Sequence, residues 1–166
     1  MRDTRPCAGL YCAAVAASST ASVLLEFRTE LNAPLDRIFA ALTEGPQLAR
    51  WFCDQADSAA TAGGRMSLRW TRPGSSALPF EGHWVVFQRP VACAYEGGHA
   101  GYPDGYAGRA GFEIATFGPG AVLITRHRLP ARPDYEPIVE IYRAAWPRAL
   151  ARLSAYLDES AEARSA

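Results

Sequence analysis

The stretch DYEPIVEIYRAAWPRALARLSAYLDE, residues 134–159, decides the architecture. Ile138, Ile141, Tyr142, Ala145, Trp146, Ala149, Leu150, Leu153, Tyr156 and Leu157 recur at helical spacing and form one apolar stripe. Asp134 can cap the start, and the pattern predicts a helix of about six turns that ends near Glu159. Pro147 lies inside it. Proline removes an amide donor and crowds the preceding turn, so a kink near Arg143 to Trp146 is expected. A helix with so long an apolar face must bury it against another layer.

The residues upstream supply that layer. Ala121 to Leu129 and Arg109 to Phe117 read as strands flanking the tight turn Gly118-Pro119-Gly120. Leu123, Thr125, His127 and Leu129 share one face of the last strand. Phe80 to Gln88 reads as a long strand, with Gly82, Trp84 and Val86 on one face and His83, Val85 and Phe87 on the other. Arg89-Pro90 turns the chain into a short strand near Ala92 to Glu96. Met66, Leu68 and Trp70 alternate with Arg65, Ser67 and Arg69 after the turn Ala62-Gly63-Gly64, and Arg72 to Leu78 reads as a hairpin loop. In the first strand, Leu25, Phe27, Thr29 and Leu31 face one way, and Glu26, Arg28 and Glu30 the other. Two short helices follow it, Leu35 to Leu42 and Gln47 to Phe52, divided by Thr43-Glu-Gly-Pro46.

Strand, two short helices, a run of strands and a long helix is an α+β order. Hairpin-like connections imply an antiparallel sheet of about six or seven strands. A sheet of that size twists and curls, and the curl leaves room for a cavity beneath the helix. The domain is expected over residues 22–160. Residues 1–21 read as a leader without a core pattern or as a start placed too far upstream, and 161–166 as a short disordered tail. Six glycines from Gly97 to Gly111, mixed with Tyr102, Asp104 and Tyr106, read as a mobile loop that could gate the cavity.

Composition excludes several chemistries. Net charge is zero, which gives no electrostatic footprint for nucleic acid. All 17 basic residues are arginine, so neither a Schiff-base lysine nor a P-loop lysine exists. Cys7, Cys12, Cys53 and Cys93 lack metal-ligand spacing and are expected as free thiols in a cytoplasmic protein. No apolar run reaches membrane-spanning length. His83, His99 and His127 are too scattered to suggest a metal site, and neither a metal nor a cofactor is expected. There is no G-x-S-x-G elbow, and no catalytic residue is assigned.

The chain also resembles a known family. Asn32-Ala-Pro34 closes the first strand, Ile38-Phe39-Ala-Ala-Leu-Thr43 forms the first helix, and Leu48-Ala-Arg-Trp51-Phe52 follows. Ala62-Gly-Gly64, Gly82, Ala121 to His127, and Trp146 with Leu150 and Leu153 complete the pattern. Over about residues 23–158 it is similar to the helix-grip, START-like (SRPBCC) superfamily, and within it to the family of the Hsp90 ATPase activator homologue. It departs from that pattern in having Ala145 where glycine is usual, Pro147 after Trp146, and a longer glycine-rich loop.

The resemblance implies a helix-grip fold whose members bind lipids, polyketides, hormones or other hydrophobic molecules. Some members are cyclases or aromatases, and the eukaryotic activator stimulates a chaperone ATPase. The function expected for this chain is binding of a small hydrophobic or aromatic molecule between sheet and helix. The alternatives are a cyclase-like enzyme using His127, Glu113 or Tyr142, and a chaperone-interacting co-regulator. Trp51, Phe52, Trp70, Trp84, Phe112, His127, Tyr142 and Trp146 are the expected cavity walls, since large rings suit a planar ligand. The oligomeric state, monomer or homodimer, is left open.

Overall fold

A computed structural model describes residues 21–72 and 75–165. The leader expected over residues 1–21 lies almost wholly outside the described residues. The strands are β1 (Ser22–Leu31), β2 (Gln55–Ser58), β3 (Arg65–Arg72), β4 (Ser75–Gln88), β5 (Ala92–His99), β6 (Arg109–Phe117) and β7 (Gly120–Pro130). They form one antiparallel seven-stranded sheet in the order β1-β7-β6-β5-β4-β3-β2. Helices α1 (Leu35–Thr43) and α2 (Gly45–Trp51) connect β1 to β2, and α3 (Glu136–Ser165) closes the chain.

Pro34 ends β1 and begins α1, because its fixed φ suits the extended residue at a helix entrance. Pro46 sits in the first turn of α2, where its missing amide hydrogen costs nothing. Trp51 ties the two helices together by donating its indole hydrogen to Ala41 O at 2.9 Å. Helix α3 buries Trp146, Ala149, Leu150, Leu153 and Leu157 in the main core with Ile38, Phe39, Leu68, Trp84 and Leu123. Its first turn packs Ile138 and Val139 against Leu25, Leu129 and Tyr135 in a second cluster.

Several expectations change. Strand β2 was not legible: its four residues, QADS, alternate only between intermediate and exposed and give no apolar signal. The hairpin expected over Arg72 to Leu78 is much tighter, since β4 begins at Ser75 and pairs with Arg72. Helix α3 continues through Pro147 and past Glu159 to Ser165. The supposed loop from Gly97 to Gly111 divides into the end of β5, a short turn at Pro103–Gly105, and the start of β6.

One register change matters for packing. The β4–β5 ladder shifts between Trp84 and Val86, so Val85 is an extra residue on β4. Strict alternation puts Phe87 opposite Trp84, but the bulge returns it to the Trp84 side. Phe87 therefore packs edge-on against Phe39 at 5.1 Å and Trp84 at 5.7 Å. His83 stays exposed on the outer face.

Gly82 and Gly97 are register partners, and the Phe80 ring lies over both. A Cβ on Gly82 would meet Phe80 Cε1 at 2.7 Å, and one on Gly97 would meet Phe80 Cζ at 2.5 Å. The absence of two methyl groups thus lets Phe80 lie flat against the sheet. Gly82→Ala is expected to destabilise the protein by about 1–3 kcal/mol through overpacking, as read from urea unfolding.

Candidate functional site

Beneath α3 the sheet leaves a cavity of about 430 Å³. Phe52 at the end of α2 closes one end. The sheet contributes Leu68 and Trp70 from β3, Phe80 from β4, Tyr95 and His99 from β5, and His127 from β7. Tyr142, Ala145, Trp146 and Ala149 descend from α3, and Tyr102 and Ala107 come from the β5–β6 connection.

The rings of this wall form a closed circuit. Trp146 stacks on Phe52 at 5.9 Å, Phe52 meets Trp70 at 5.5 Å, and Trp70 meets His99 at 6.0 Å. His99 contacts Tyr102 at 4.8 Å, Tyr102 contacts Tyr142 at 6.3 Å, and Tyr142 lies edge-on to His127 at 4.2 Å. The His127–Trp146 contact at 5.9 Å completes the loop. Offset and edge-on ring pairs are the favourable geometries, so the circuit holds an apolar lining in place.

Hydrogen bonds lock two of its members. Trp146 Nε1 donates to His127 Nδ1 at 3.0 Å, and His127 Nε2 lies 2.8 Å from Ala107 O. Indole can only donate and a carbonyl can only accept, so His127 is the neutral tautomer with its hydrogen on Nε2. A second proton would have to enter on Nδ1, against the indole hydrogen. Burial is the main cause that lowers the His127 pKa to about 4. His99 is also depressed by burial, and its Nδ1 lies 3.0 Å from Pro79 O, to which it donates as the neutral ring. Both rings are therefore uncharged at neutral pH. Burial likewise pushes the Tyr142 phenol above its usual range.

The β5–β6 connection is tied to the start of α3. Tyr135 OH lies 2.7 Å from Pro103 O and 2.9 Å from Tyr106 O, and shares its single hydrogen between them. Arg132 pairs with Asp104 and Asp134, each at 2.7 Å. Ala107 N donates to Gly97 O at 2.8 Å while Ala107 O receives His127. Gly108 adopts a φ of +89°, and a Cβ there would meet His127 Nε2 at 2.8 Å. Only glycine lets the backbone approach the imidazole so closely.

Of the expected wall residues, Phe52, Trp70, His127, Tyr142 and Trp146 line the cavity. Trp51, Trp84 and Phe112 do not, because each is committed to the core. Trp51 donates to Ala41 O, Trp84 donates to Ser58 Oγ at 3.1 Å, and Phe112 lies under Trp146 at 5.8 Å. Glu113 is on the opposite side of the sheet. It pairs with Arg126 at 2.6 Å, and Arg126 pairs again with Glu26 at 2.6 Å. That outer face has a broader concavity of about 600 Å³, with Arg126, Glu113, Arg109 and Glu96 among its lining. These charges already satisfy one another across the strands, Arg109 with Glu96 at 3.4 Å. The ring-walled cavity beneath α3 is the candidate site.

Sequence reasoning missed Tyr95, Ala145, Ala149, Arg148 and Arg152 as wall or rim residues. Tyr102 was legible as part of a loop that could gate the cavity, and the two arginines fall outside the apolar stripe of the helix. Cys53 and Cys93 are free and buried, and burial raises their pKa values to about 11 and about 12. Neither is a thiolate nucleophile at neutral pH. Cys7 and Cys12 lie outside the described residues. Among the described residues no cluster of metal-ligating side chains occurs, and no helix is long and apolar enough to cross a membrane.

Comparison with known proteins agrees with this architecture. A family model described as Activator of Hsp90 ATPase homolog 1-like protein matches residues 32–158. A search of curated proteins finds no match. Among solved structures, protein MLL2253 from Mesorhizobium loti superposes with a TM-score of 0.69 at 17% identity, covering 84% of this chain and 98% of that one. The Aha1 dimer from Colwellia psychrerythraea gives 0.67 at 17% identity, covering 81% and 96%. CalU16 from Micromonospora echinospora gives 0.61 at 21% identity, covering 82% and 75%. At these identities the likeness to the solved structures is one of fold.

Proposed function

We propose that this chain, which belongs to the Activator of Hsp90 ATPase homolog 1-like family, binds a small hydrophobic or aromatic molecule in the cavity between sheet and C-terminal helix. The closed circuit of rings around a space of about 430 Å³ carries this reading. Such a volume is within the range of small-molecule sites, and a mostly apolar wall with a few polar groups is their usual composition. Apolar surface on the molecule would leave water, and ring faces would meet ring faces. The neutral imidazole of His99 keeps Nε2 free as an acceptor once Nδ1 has donated to Pro79 O, so it can orient a ligand hydroxyl or amide. Buried free thiols at Cys53 and Cys93 support a reducing, cytoplasmic setting for this binding.

The cyclase-like alternative has less support. Both nitrogens of His127 are engaged, its low pKa keeps it from taking up a second proton at neutral pH, and Glu113 is across the sheet. Among the described residues no carboxylate lines the cavity to act in their place.

Calorimetry with a neutral bicyclic probe, 2-naphthamide, tests the binding reading. Ala145 lines the space yet is only partly buried, so tryptophan can be accommodated there with little strain. Ala145→Trp is expected to weaken 2-naphthamide binding about tenfold or more while leaving the melting temperature nearly unchanged. Absence of heat with the wild-type protein, or equal affinity in both proteins, would count against the cavity as the binding site.

A further inference from the structure

The cavity mouth is built asymmetrically. Ile141, Ala145, Arg148 and Arg152 follow one another at spacings of four, three and four along α3, so they form a single edge of the helix. All four border the cavity. The edge is apolar at one end, where Ile141 is 51% exposed, and cationic at the other.

The two guanidinium groups are held in place through their inner nitrogens. Arg152 Nε donates to Trp51 O at 2.9 Å, which anchors it at the end of α2. Arg148 Nε donates to Ala144 O at 3.0 Å, in the turn that contains Pro147. Each therefore keeps its two terminal nitrogens, the fork that matches a carboxylate, available for another partner. Among the described residues neither arginine forms an ion pair, although other surface arginines, including Arg28, Arg89, Arg126, Arg132 and Arg143, do. The charge of the lining is one-sided: it includes two arginines, no aspartate or glutamate, and two histidines held neutral by burial and hydrogen bonding.

We propose that the occupant of the cavity is an amphipathic anion: a ring-bearing carboxylic acid whose apolar body lies within the ring circuit and whose carboxylate is gripped by Arg148 and Arg152 at the mouth. This assignment rests on the binding reading and specifies its ligand class. A neutral apolar molecule would fill the interior equally well but would leave both forks in water. A cationic one would be repelled at the entrance.

The test is a calorimetric comparison of 2-naphthoate with 2-naphthamide, which share shape and ring system and differ in charge. Wild-type protein is expected to bind the carboxylate about tenfold more tightly, with the preference shrinking as salt is raised. The double variant R148Q/R152Q is expected to lose that preference and retain its affinity for 2-naphthamide. Arg148→Gln alone gives a smaller loss in the same direction; it keeps the Arg152 link to α2 and so guards against a folding defect. Arg143→Gln removes a charge from the same helix outside the cavity and should change neither affinity. Equal binding of the two probes by the wild type, or a preference that survives in the double variant, would overturn the anionic assignment while leaving the cavity reading intact. Failure of both probes to bind would overturn both.

Discussion

Trp146→Ala is expected to lower the unfolding free energy by about 3–5 kcal/mol. Trp146 is 3% exposed and stands where three structures meet: the core of α3, the ring circuit, and the His127 hydrogen bond. Its removal opens the cavity into the core and takes one ring contact from each of Phe52 and Phe112. It also leaves His127 Nδ1 without its donor. Trp146→Phe separates these losses. It keeps most of the packing but not the N–H, and is expected to cost about 1–2 kcal/mol. Urea unfolding monitored by circular dichroism reads both. A loss for the alanine variant no larger than that for phenylalanine would mean that the ring circuit contributes little to stability.

Acidification should weaken the fold well before the carboxylates titrate fully. In the unfolded chain His127 takes a proton near pH 6.5, whereas in the fold its pKa is about 4. Between these values the unfolded state binds the proton and the folded state does not. Stability contributed by the neutral imidazole is thus fully present above pH 6.5 and is lost as pH falls toward 4, by about 3 kcal/mol in all. His99, depressed by burial, adds a loss of the same sign. Unfolding free energies between pH 7.5 and 4 are expected to show this decline. His127→Gln, which has a donor and an acceptor but no site for a proton, should flatten it. Parallel pH profiles in the two proteins would show that His127 does not carry the effect. Trp146→Phe connects the two predictions: with Nδ1 released from the indole hydrogen, the His127 transition should move upward toward pH 6.5.

Much of this site was readable because periodicity reports which way a side chain faces. The stripe on α3 grouped Trp146 with Tyr142, the alternation in β7 grouped His127 with Leu123 and Thr125, and Trp146, Tyr142 and His127 all border the cavity. The same method failed at Val85, where one extra residue reversed the alternation and returned Phe87 to the core. It failed again for Trp51 and Trp84. An inward-facing tryptophan can end in the core or at a cavity, and here the acceptors Ala41 O and Ser58 Oγ held both in the core.

Local patterning by itself determined most element types, though not β2, together with the antiparallel connections, the long closing helix and the exclusion of lysine chemistry. These depend on the period of apolar residues, on turn residues and on composition, all of which are local properties. Only the tertiary structure decided what the interior can do. Contacts between distant segments set the His127 tautomer, through Trp146 on one side and Ala107 on the other. Sheet curvature and the position of α3 determined which aromatic rings border open space. The placement of Arg148 and Arg152 at its mouth depends on which edge of a helix turns toward the cavity, and that follows from packing against the sheet rather than from the helix's own sequence.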